Sequence, residues 1–282
     1  MSTKWLSSKN NFCCSRNKFA RISTVCNMKV TISETSPNKN VSILCPNLSV
    51  SKRWKYFRRI FKYRQMDFEF ALWQMLYLFI SPSKVYRNFE YHKHTKHQWA
   101  RDDPAFLVIL SIWLSVSCIG FSIVLQLGFF AFIRFTLWVV FMEFVGVGLL
   151  VATILWFISN KYLRTRNAES KKQFVEWGYA FDVHLNAFFP LLVILHVIQL
   201  FFVKFLDHNH GFTILLCNTL WLVAFVYYGY ITFLGYSALP FLQKTVVLLY
   251  PVPLLLVLYI LTIVYSCNIG HEVLDFYKNV VR

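Results

Sequence analysis

Few residues of this chain could carry chemistry, and three of them lie inside long apolar stretches. Glu143 is the one acid within its stretch, and His184 and His196 lie in the next. An ionised side chain at the centre of a membrane helix costs about 2.5–3.5 kcal/mol on insertion scales, so these groups should face protein. Together they would form a proton or cation site. The sequence favours a structural Glu143 instead, protonated or hydrogen-bonded near Arg134, because transport usually requires several intramembrane charges and this chain shows one.

Asp182 belongs to a polar cluster with Glu176, His184 and Asn186 at the start of an apolar stretch. A carboxylate in this position is typical of a helix N-cap, where it accepts hydrogen bonds from free backbone N–H groups. The sequence therefore predicts a structural role for Asp182. A metal site formed by Asp182 and His184 is the weaker alternative.

The sequence contains a second histidine cluster, HKHTKH, which holds His92, His94 and His97. Lys93 and Lys96 lie between them and would repel a cation, so the segment favours a solvated loop over a metal site. The chain has no Walker loop, GxSxG elbow, HExxH helix or dinucleotide fingerprint. We predict no catalytic residue, metal or cofactor, and a protein that is not an enzyme.

A basic aromatic segment at residues 51–65, SKRWKYFRRIFKYRQ, is the most informative local feature. Its apolar residues recur at helical spacing, which predicts a basic amphipathic helix. Its cations would attract anionic lipid at about 1 kcal/mol each while the rings insert, although the same mixture can bind RNA. Lipid is favoured because membrane segments follow directly. The candidate lipid- or RNA-binding residues are Lys52, Arg53, Trp54, Lys55, Phe57, Arg58, Arg59, Phe61, Lys62 and Arg64.

The composition is that of a membrane protein with one basic region. Apolar residues make up 57% of the 282 residues and charged residues 15%, against roughly 45–50% and about 25% in soluble proteins. Residues 1–101 hold 19 Lys and Arg against 4 acids, whereas residues 102–282 hold 10 against 9. Such asymmetry indicates contact with anionic lipid or nucleic acid. The seven cysteines show no paired spacing and are predicted to be reduced thiols.

The uncharged runs predict an all-α integral membrane bundle with four regions. These are a disordered tail at 1–51, a basic and interfacial region at 52–104, a five-span bundle at 105–270, and a tail at 271–282. The spans are expected at about 106–130, 136–159, 183–203, 212–239 and 246–270.

Three local features refine this prediction. The uncharged run Phe70 to Ser83 covers only about 20 Å, too short for a core of roughly 30 Å, so it should lie in the interface or re-enter from it. The uncharged run that contains the fourth span is longer than one membrane crossing needs, so its helix should tilt or break near Gly229 or Gly235. Gly146 and Gly148 should permit close helix packing.

The distribution of Lys and Arg predicts the orientation. With five spans and a cytosolic N-terminus, 25 Lys and Arg lie on the cytosolic side and 4 on the lumenal side. If Phe70 to Ser83 were a sixth span, the distribution would be 18 against 11. Because basic residues favour the cytosolic side, the five-span arrangement is preferred. It places the N-terminus in the cytosol and the C-terminus in the lumen.

Several long blocks of this sequence closely resemble the uncoordinated-fifty family of eukaryotic multi-pass membrane proteins. They are RQMDFEFALWQMLYLF, SPSKVYRNF, QWARDDPAFLVILSIWL, VEWGYAFDVHLNAFFPLLVILH and NTLWLVAFVYYGYITFLGYSALPFL. The resemblance covers about Tyr56 to Tyr277 and leaves the first 50 residues outside.

The resemblance implies a Golgi membrane protein, also placed at the inner nuclear membrane in some members, with a cytosolic N-terminus. It implies a role in the assembly or surface export of nicotinic acetylcholine receptors, with Arf guanine-nucleotide exchange factors as partners and RNA binding as a further property. No catalytic residues are known in the family. The rival hypothesis from the residues is a small proton- or cation-coupled transporter, or an intramembrane enzyme, using Glu143, His184 and His196.

Overall fold

The structure is a computed structural model that describes residues 66–96, 99–101, 103–165, 173–206 and 211–281. Within these residues the chain is helical and forms no named strand, with one isolated bridge between Arg164 and Leu242. The predicted all-α class is confirmed. The predicted disordered tail and basic helix lie outside the described residues.

Eight helices run through the described residues, and five of them supply membrane spans. The helices are α1 Phe68–Ile80, α2 Pro82–Lys96, α3 Ala105–Val124, α4 Phe129–Leu163, α5 Trp177–Phe202, α6 Gly211–Ser237, α7 Pro251–Val264 and α8 Ile269–Val281. Helices α3 to α6 are each long and apolar enough to cross a membrane, as is α7 together with the 3₁₀ turn Thr245–Leu249 before it. The predicted count of five spans is confirmed.

Helix boundaries differ from the sequence prediction in five places. Helix α3 ends at Val124, six residues before the expected 130, and α4 runs Phe129–Leu163 where 136–159 was expected. Helix α5 begins at Trp177, six residues before the expected 183. Helix α6 is continuous over 27 residues, so the expected excess length does not break it at Gly229 or Gly235. The last span ends at Val264, and most of the expected C-terminal tail belongs to α8.

Helices α1 and α2 form a hairpin that inserts halfway into the bundle. At the end of α1, the Phe79 ring lies 5.7 Å from Phe189 and 6.3 Å from Tyr227, and the Tyr227 hydroxyl donates to the Leu78 carbonyl at 2.7 Å. Phe189 lies twelve residues beyond Trp177, which corresponds to about 18 Å along α5. The structure thus favours the re-entrant alternative for this segment.

Helix α2 returns from that depth to the end of the bundle at which α5 begins. Near its start, Tyr86 and Val183 both contact the position that a Gly235 side chain would occupy. Farther along, the Phe89 ring lies 6.1 Å from Tyr179, two residues after α5 starts. We call this end the predicted cytosolic end and the opposite one the predicted lumenal end.

The core of the bundle is centred on α5, the most buried of the five spans. Helices α4 and α6 pack against α5, whereas α7 has no buried residue and packs on α6. Gly148 of α4 is buried, and a side chain there would meet the His184 imidazole, with Cβ 2.7 Å from Nε2. Gly146 is exposed and meets only its own helix, so Gly148 alone fits the predicted packing role.

Helix α8 is amphipathic and is fixed to the bundle at the predicted lumenal end. The buried Asn218 side chain of α6 donates to the Cys267 carbonyl at 2.8 Å and accepts from the Ile269 N–H at 3.1 Å. On the exposed face of α8, Lys278 donates to Asp275 at 2.9 Å, and this bond lowers the pKa of the Asp275 carboxyl. The opposite face turns Leu274 and other apolar residues toward the spans.

Candidate functional site

Two groups of polar side chains lie against α5, and the first is at the predicted cytosolic end. We call it the arginine cluster: Arg101, Asp182 and Asn186, with the rings of Phe89 and Phe106. The Arg101 guanidinium donates to Oδ1 of Asn186 and lies 4.1 Å from the Phe106 ring centroid and 4.9 Å from that of Phe89. Its backbone N–H donates to Oδ2 of Asp182 at 2.7 Å. The cluster joins the segment before α3 to α5 and α2.

Asp182 is not the helix N-cap that the sequence predicted. Helix α5 begins at Trp177 after Glu176, so Asp182 lies within the second turn, 4% exposed. Its carboxylate accepts from the Arg101 backbone instead. The prediction was wrong because the Asp182 carboxylate accepts a hydrogen bond from a different segment of the chain. The spacing of residues along a helix does not predict such a tertiary contact.

The second group lines a cavity of about 290 Å³ inside the bundle, which we call the polar cavity. It is enclosed by α3, α4, α5, α6 and α8. Its apolar lining residues are Leu114, Phe121, Val147, Val151, Phe188, Leu191, Leu195, Phe225, Val273 and Leu274. Its polar lining residues are Glu143, His184, His196, Gln199, Trp221, Tyr228 and Tyr277.

Local helix geometry directs two of these polar side chains. Glu143 lies in a π-helical segment of α4, Val139–Gly146, and His196 lies in one of α5, Val193–Ile198. A π-helical turn holds an extra residue and so rotates the following side chains relative to a regular helix, and such turns are frequent at functional sites. The regular spacing of residues in an α-helix therefore could not predict that the side chains of Glu143 and His196 line the polar cavity.

The structure brings Glu143, His184 and His196 to one cavity but gives each its own hydroxyl neighbour. The Tyr277 hydroxyl of α8 donates to Glu143 Oε2 at 2.9 Å. Nδ1 of His184 lies 2.8 Å from the Tyr228 hydroxyl, and Nδ1 of His196 lies 3.3 Å from Oγ of Ser117.

The two histidines lie at different levels of the cavity. They are twelve residues apart on α5, which corresponds to about 18 Å along the helix axis, so no proton passes directly between them. Within the described residues no three His, Cys, Asp or Glu side chains group as they would around a metal ion. Asp182 lies outside the polar cavity, in the arginine cluster.

Two nitrogen atoms in the cavity lining lack a hydrogen-bond partner among the described residues. They are Nε2 of His184, whose side chain is 2% exposed, and Nε1 of Trp221. An indole N–H can only donate, and His184 Nε2 donates or accepts according to the tautomer. Leaving such a group unpaired away from water costs about 1–3 kcal/mol. The side chains that line the cavity therefore include two polar atoms that the described residues leave unpaired.

The remaining predicted site residues lie outside the described residues or have no described side chain. Lys52 through Arg64 of the basic segment, and His97, fall outside. His92 and His94 belong to α2, where the sequence expected a loop, and their side chains are not described. The described cysteines, Cys118, Cys217 and Cys267, are free thiols.

The sequence alone did not reveal the functional importance of Arg101, Trp221 or Tyr277. Arg101 appeared only as one cation among the many before the first span. A usable signal was present, because Asp182 and Asn186 are four residues apart and so share a helix face. Tyr277 had no such signal, since it belongs to a segment expected as a tail.

Comparison with known proteins finds close relatives across most of the chain. The model of the UNC-50 family matches residues 56–278. The chain is 64% identical over 233 residues to a rat protein named unc-50 homolog and 63% identical over the same length to the human one, covering 82% of this chain and 89% of each relative. The fruit-fly homolog is 50% identical over 231 residues, covering 82% of this chain and 83% of the relative. No solved structure matches the chain.

Proposed function

This chain belongs to the UNC-50 family, and on that premise we propose that it is a non-enzymatic trafficking factor of the Golgi membrane. It supports the assembly or cell-surface export of client receptors, for which the family resemblance points to nicotinic acetylcholine receptors. The inner nuclear membrane is a second location that the resemblance suggests. The observation that carries the proposal is the extent of the family match, residues 56–278, which includes every described helix apart from the last turn of α8.

The geometry of the predicted cytosolic end supports a recruiting surface. The α1–α2 hairpin is fixed by the Tyr227 bond to Leu78, and the arginine cluster fixes the segment that follows α2. The basic segment at 52–64 directly precedes this anchored structure. We propose that the basic segment meets anionic lipid and orients Arf guanine-nucleotide exchange factors on the membrane. RNA is the alternative partner of the same segment.

The test is rescue of receptor export in cells that lack this chain. The cells receive the wild type, a variant with Lys55, Arg58, Arg59 and Lys62 replaced by Gln, or a control with Lys4, Lys9, Arg16 and Lys18 replaced by Gln. Both variants lose four positive charges, but the control changes residues outside the family match. Surface nicotinic receptor is counted with an extracellular antibody, and proximity labelling from the N-terminus reports captured exchange factors.

We expect the wild type and the control to restore surface receptor, and the basic-segment variant to fail at a normal protein level. The variant loses up to roughly 4 kcal/mol of attraction to anionic leaflets, at about 1 kcal/mol per charge. Full rescue by the basic-segment variant would contradict the role of that segment. Failure of the wild type to alter surface receptor would contradict the trafficking function itself.

Binding to phosphatidylserine vesicles and to single-stranded RNA distinguishes the two partners of the basic segment. We expect salt-sensitive vesicle binding by the wild type that falls sharply in the fourfold Gln variant. If the segment instead binds RNA and ignores the vesicles, the RNA alternative replaces lipid.

The rival transporter function is not supported by the arrangement of intramembrane polar groups. A coupled transporter would bring further ionisable groups onto Glu143, whereas the Glu143 carboxyl accepts a hydrogen bond from the neutral Tyr277 hydroxyl. His184 and His196 are bonded to hydroxyl groups of other helices. These local partners favour a structural or binding role for the three residues.

A further inference from the structure

The polar cavity has the size and walls of a small ligand site rather than of an aqueous path. Its volume of about 290 Å³ is close to the lower end of the range for ligand pockets, roughly 300–1,000 Å³. Leu114, Phe188, Leu191 and Phe225 form an apolar middle section. An apolar section of this kind stays dry and accepts hydrocarbon.

The cavity is elongated along α5. It extends from His184 to Gln199, fifteen residues farther on, which is about 22 Å of helix. That length is most of the roughly 30 Å hydrocarbon thickness of a bilayer. A single extended hydrocarbon body therefore matches the cavity better than a compact solute does.

The cavity margin reaches the surface that faces lipid. Val147 of α4 and Phe225 of α6 line it and are 49% and 40% exposed, respectively. Both helices pack on α5, and each contributes a lining residue that is exposed at the surface of the bundle. An occupant can enter from the bilayer without crossing water.

The lining also specifies a polar group on the occupant. Trp221 and His184 both line this cavity, and Nε1–H of the indole and Nε2 of the imidazole have no hydrogen-bond partner among the described residues. An oxygen atom of a ligand would accept from the indole and remove the cost of leaving that donor unpaired.

The occupant should carry no charge. Glu143 is the one acidic residue among the described lining residues, and no Lys or Arg lines the cavity with it. An anionic headgroup would lie there without a counter-charge, and a zwitterionic headgroup would lose its hydration, both at high cost. A hydroxyl or carbonyl head avoids this cost.

From these observations we propose that the polar cavity binds one uncharged amphiphile of the bilayer, with a single hydrocarbon body and a hydroxyl or carbonyl head that accepts a hydrogen bond from Trp221. Sterols and monoacylglycerols share this chemistry. The site is separate from the basic segment, and its occupancy does not depend on the proposed trafficking role.

The test is photo-crosslinking of the full chain reconstituted into vesicles. Three photoreactive alkyne probes are compared: a sterol, a monoacylglycerol and a phosphatidylcholine. Crosslinked peptides are mapped by mass spectrometry, and an excess of the unlabelled lipid serves as competitor. We expect a neutral probe to label α4, α5 or α6 at the cavity with competition, and phosphatidylcholine to label only the outer surface. The neutral probe that labels identifies the source of the ligand.

Two matched pairs of variants locate the site. Val147→Phe fills the cavity and should lower capture about tenfold, whereas Val257→Phe adds the same ring to the exposed face of α7 and should leave capture unchanged. Trp221→Phe removes the donor but keeps a ring, and should lower capture about fivefold. Its control, Trp113→Phe on the exposed face of α3, should have no effect.

Three outcomes would overturn the proposal. The first is the absence of competed labelling at the cavity by either neutral probe, and the second is equal labelling there by phosphatidylcholine. The third is unchanged capture in Trp221→Phe, which retains the packing volume of a ring and so remains informative if Val147→Phe does not fold.

Discussion

The arginine cluster and the polar cavity both place polar side chains against α5, yet these side chains have different neighbours. In the arginine cluster, the Arg101 guanidinium and backbone meet Asn186, Asp182 and two aromatic rings. The polar cavity instead leaves a space of about 290 Å³ among five helices, and most of its lining side chains are apolar. Groups that bond one another across chain segments stabilise the fold, whereas a space lined mainly by apolar side chains can hold a ligand. The comparison separates a structural region from a binding region along one helix.

The largest expected effect is loss of stability when Arg101 is removed. Arg101→Met keeps an apolar stem but deletes the donor to Asn186 and the cation between two rings. We expect destabilisation of about 3 kcal/mol, measured as a lower midpoint of heat-induced aggregation in detergent. The control is Arg87→Met, the same change at an exposed position of α2. Equal midpoints for the two variants would show that the arginine cluster does not hold the structure.

A smaller effect is expected where α4 approaches His184. In Gly148→Ala the new Cβ would lie 2.7 Å from Nε2, so the helices must separate at a cost of about 1–3 kcal/mol. Gly146→Ala is the matched control, because that exposed position faces no other helix. The same heating assay compares them. A Gly148→Ala midpoint equal to that of Gly146→Ala would refute the close packing at this level of the cavity.

Neutralising Glu143 should have a still smaller effect. In Glu143→Gln the amide oxygen can still accept from the Tyr277 hydroxyl, and a neutral side chain is cheaper to insert. We expect a stability change below about 1 kcal/mol, with normal expression, location and receptor export. Loss of export at a normal protein level would favour the transporter hypothesis. His184 and His196 would then be the next residues to replace.

A glycosylation test of the membrane orientation should produce no change in the mass of the protein. Asn40 and Asn47 head the sequons NVS and NLS, which a lumenal N-terminus would expose to glycosylation. With a cytosolic N-terminus neither is modified, so glycosidase treatment leaves the mass unchanged. A mass shift that Asn40→Gln and Asn47→Gln abolish would reverse the two ends of the bundle. It would also place the arginine cluster in the lumen.

The sequence predicted the architecture because long uncharged runs leave the chain no other way to satisfy its backbone in lipid. Five spans and the short α1 segment followed from run length alone. The arginine cluster could not be predicted in this way, because Arg101 and Asn186 are joined across 85 residues by tertiary packing. The polar cavity depends on π-helical turns at Glu143 and His196 and on helix α8. The periodicity of the sequence predicted none of these three features.

Cryo-electron microscopy of the full chain in lipid nanodiscs, with a bound antibody fragment to aid alignment, tests the contrast between the two regions most directly. We expect elongated non-protein density in the polar cavity, in contact with Trp221, and no such density in the arginine cluster. A cavity closed by its own side chains, or one that holds only water-sized density, would contradict the ligand site. Arg101 directed away from Asn186 would contradict the structural role of the other region.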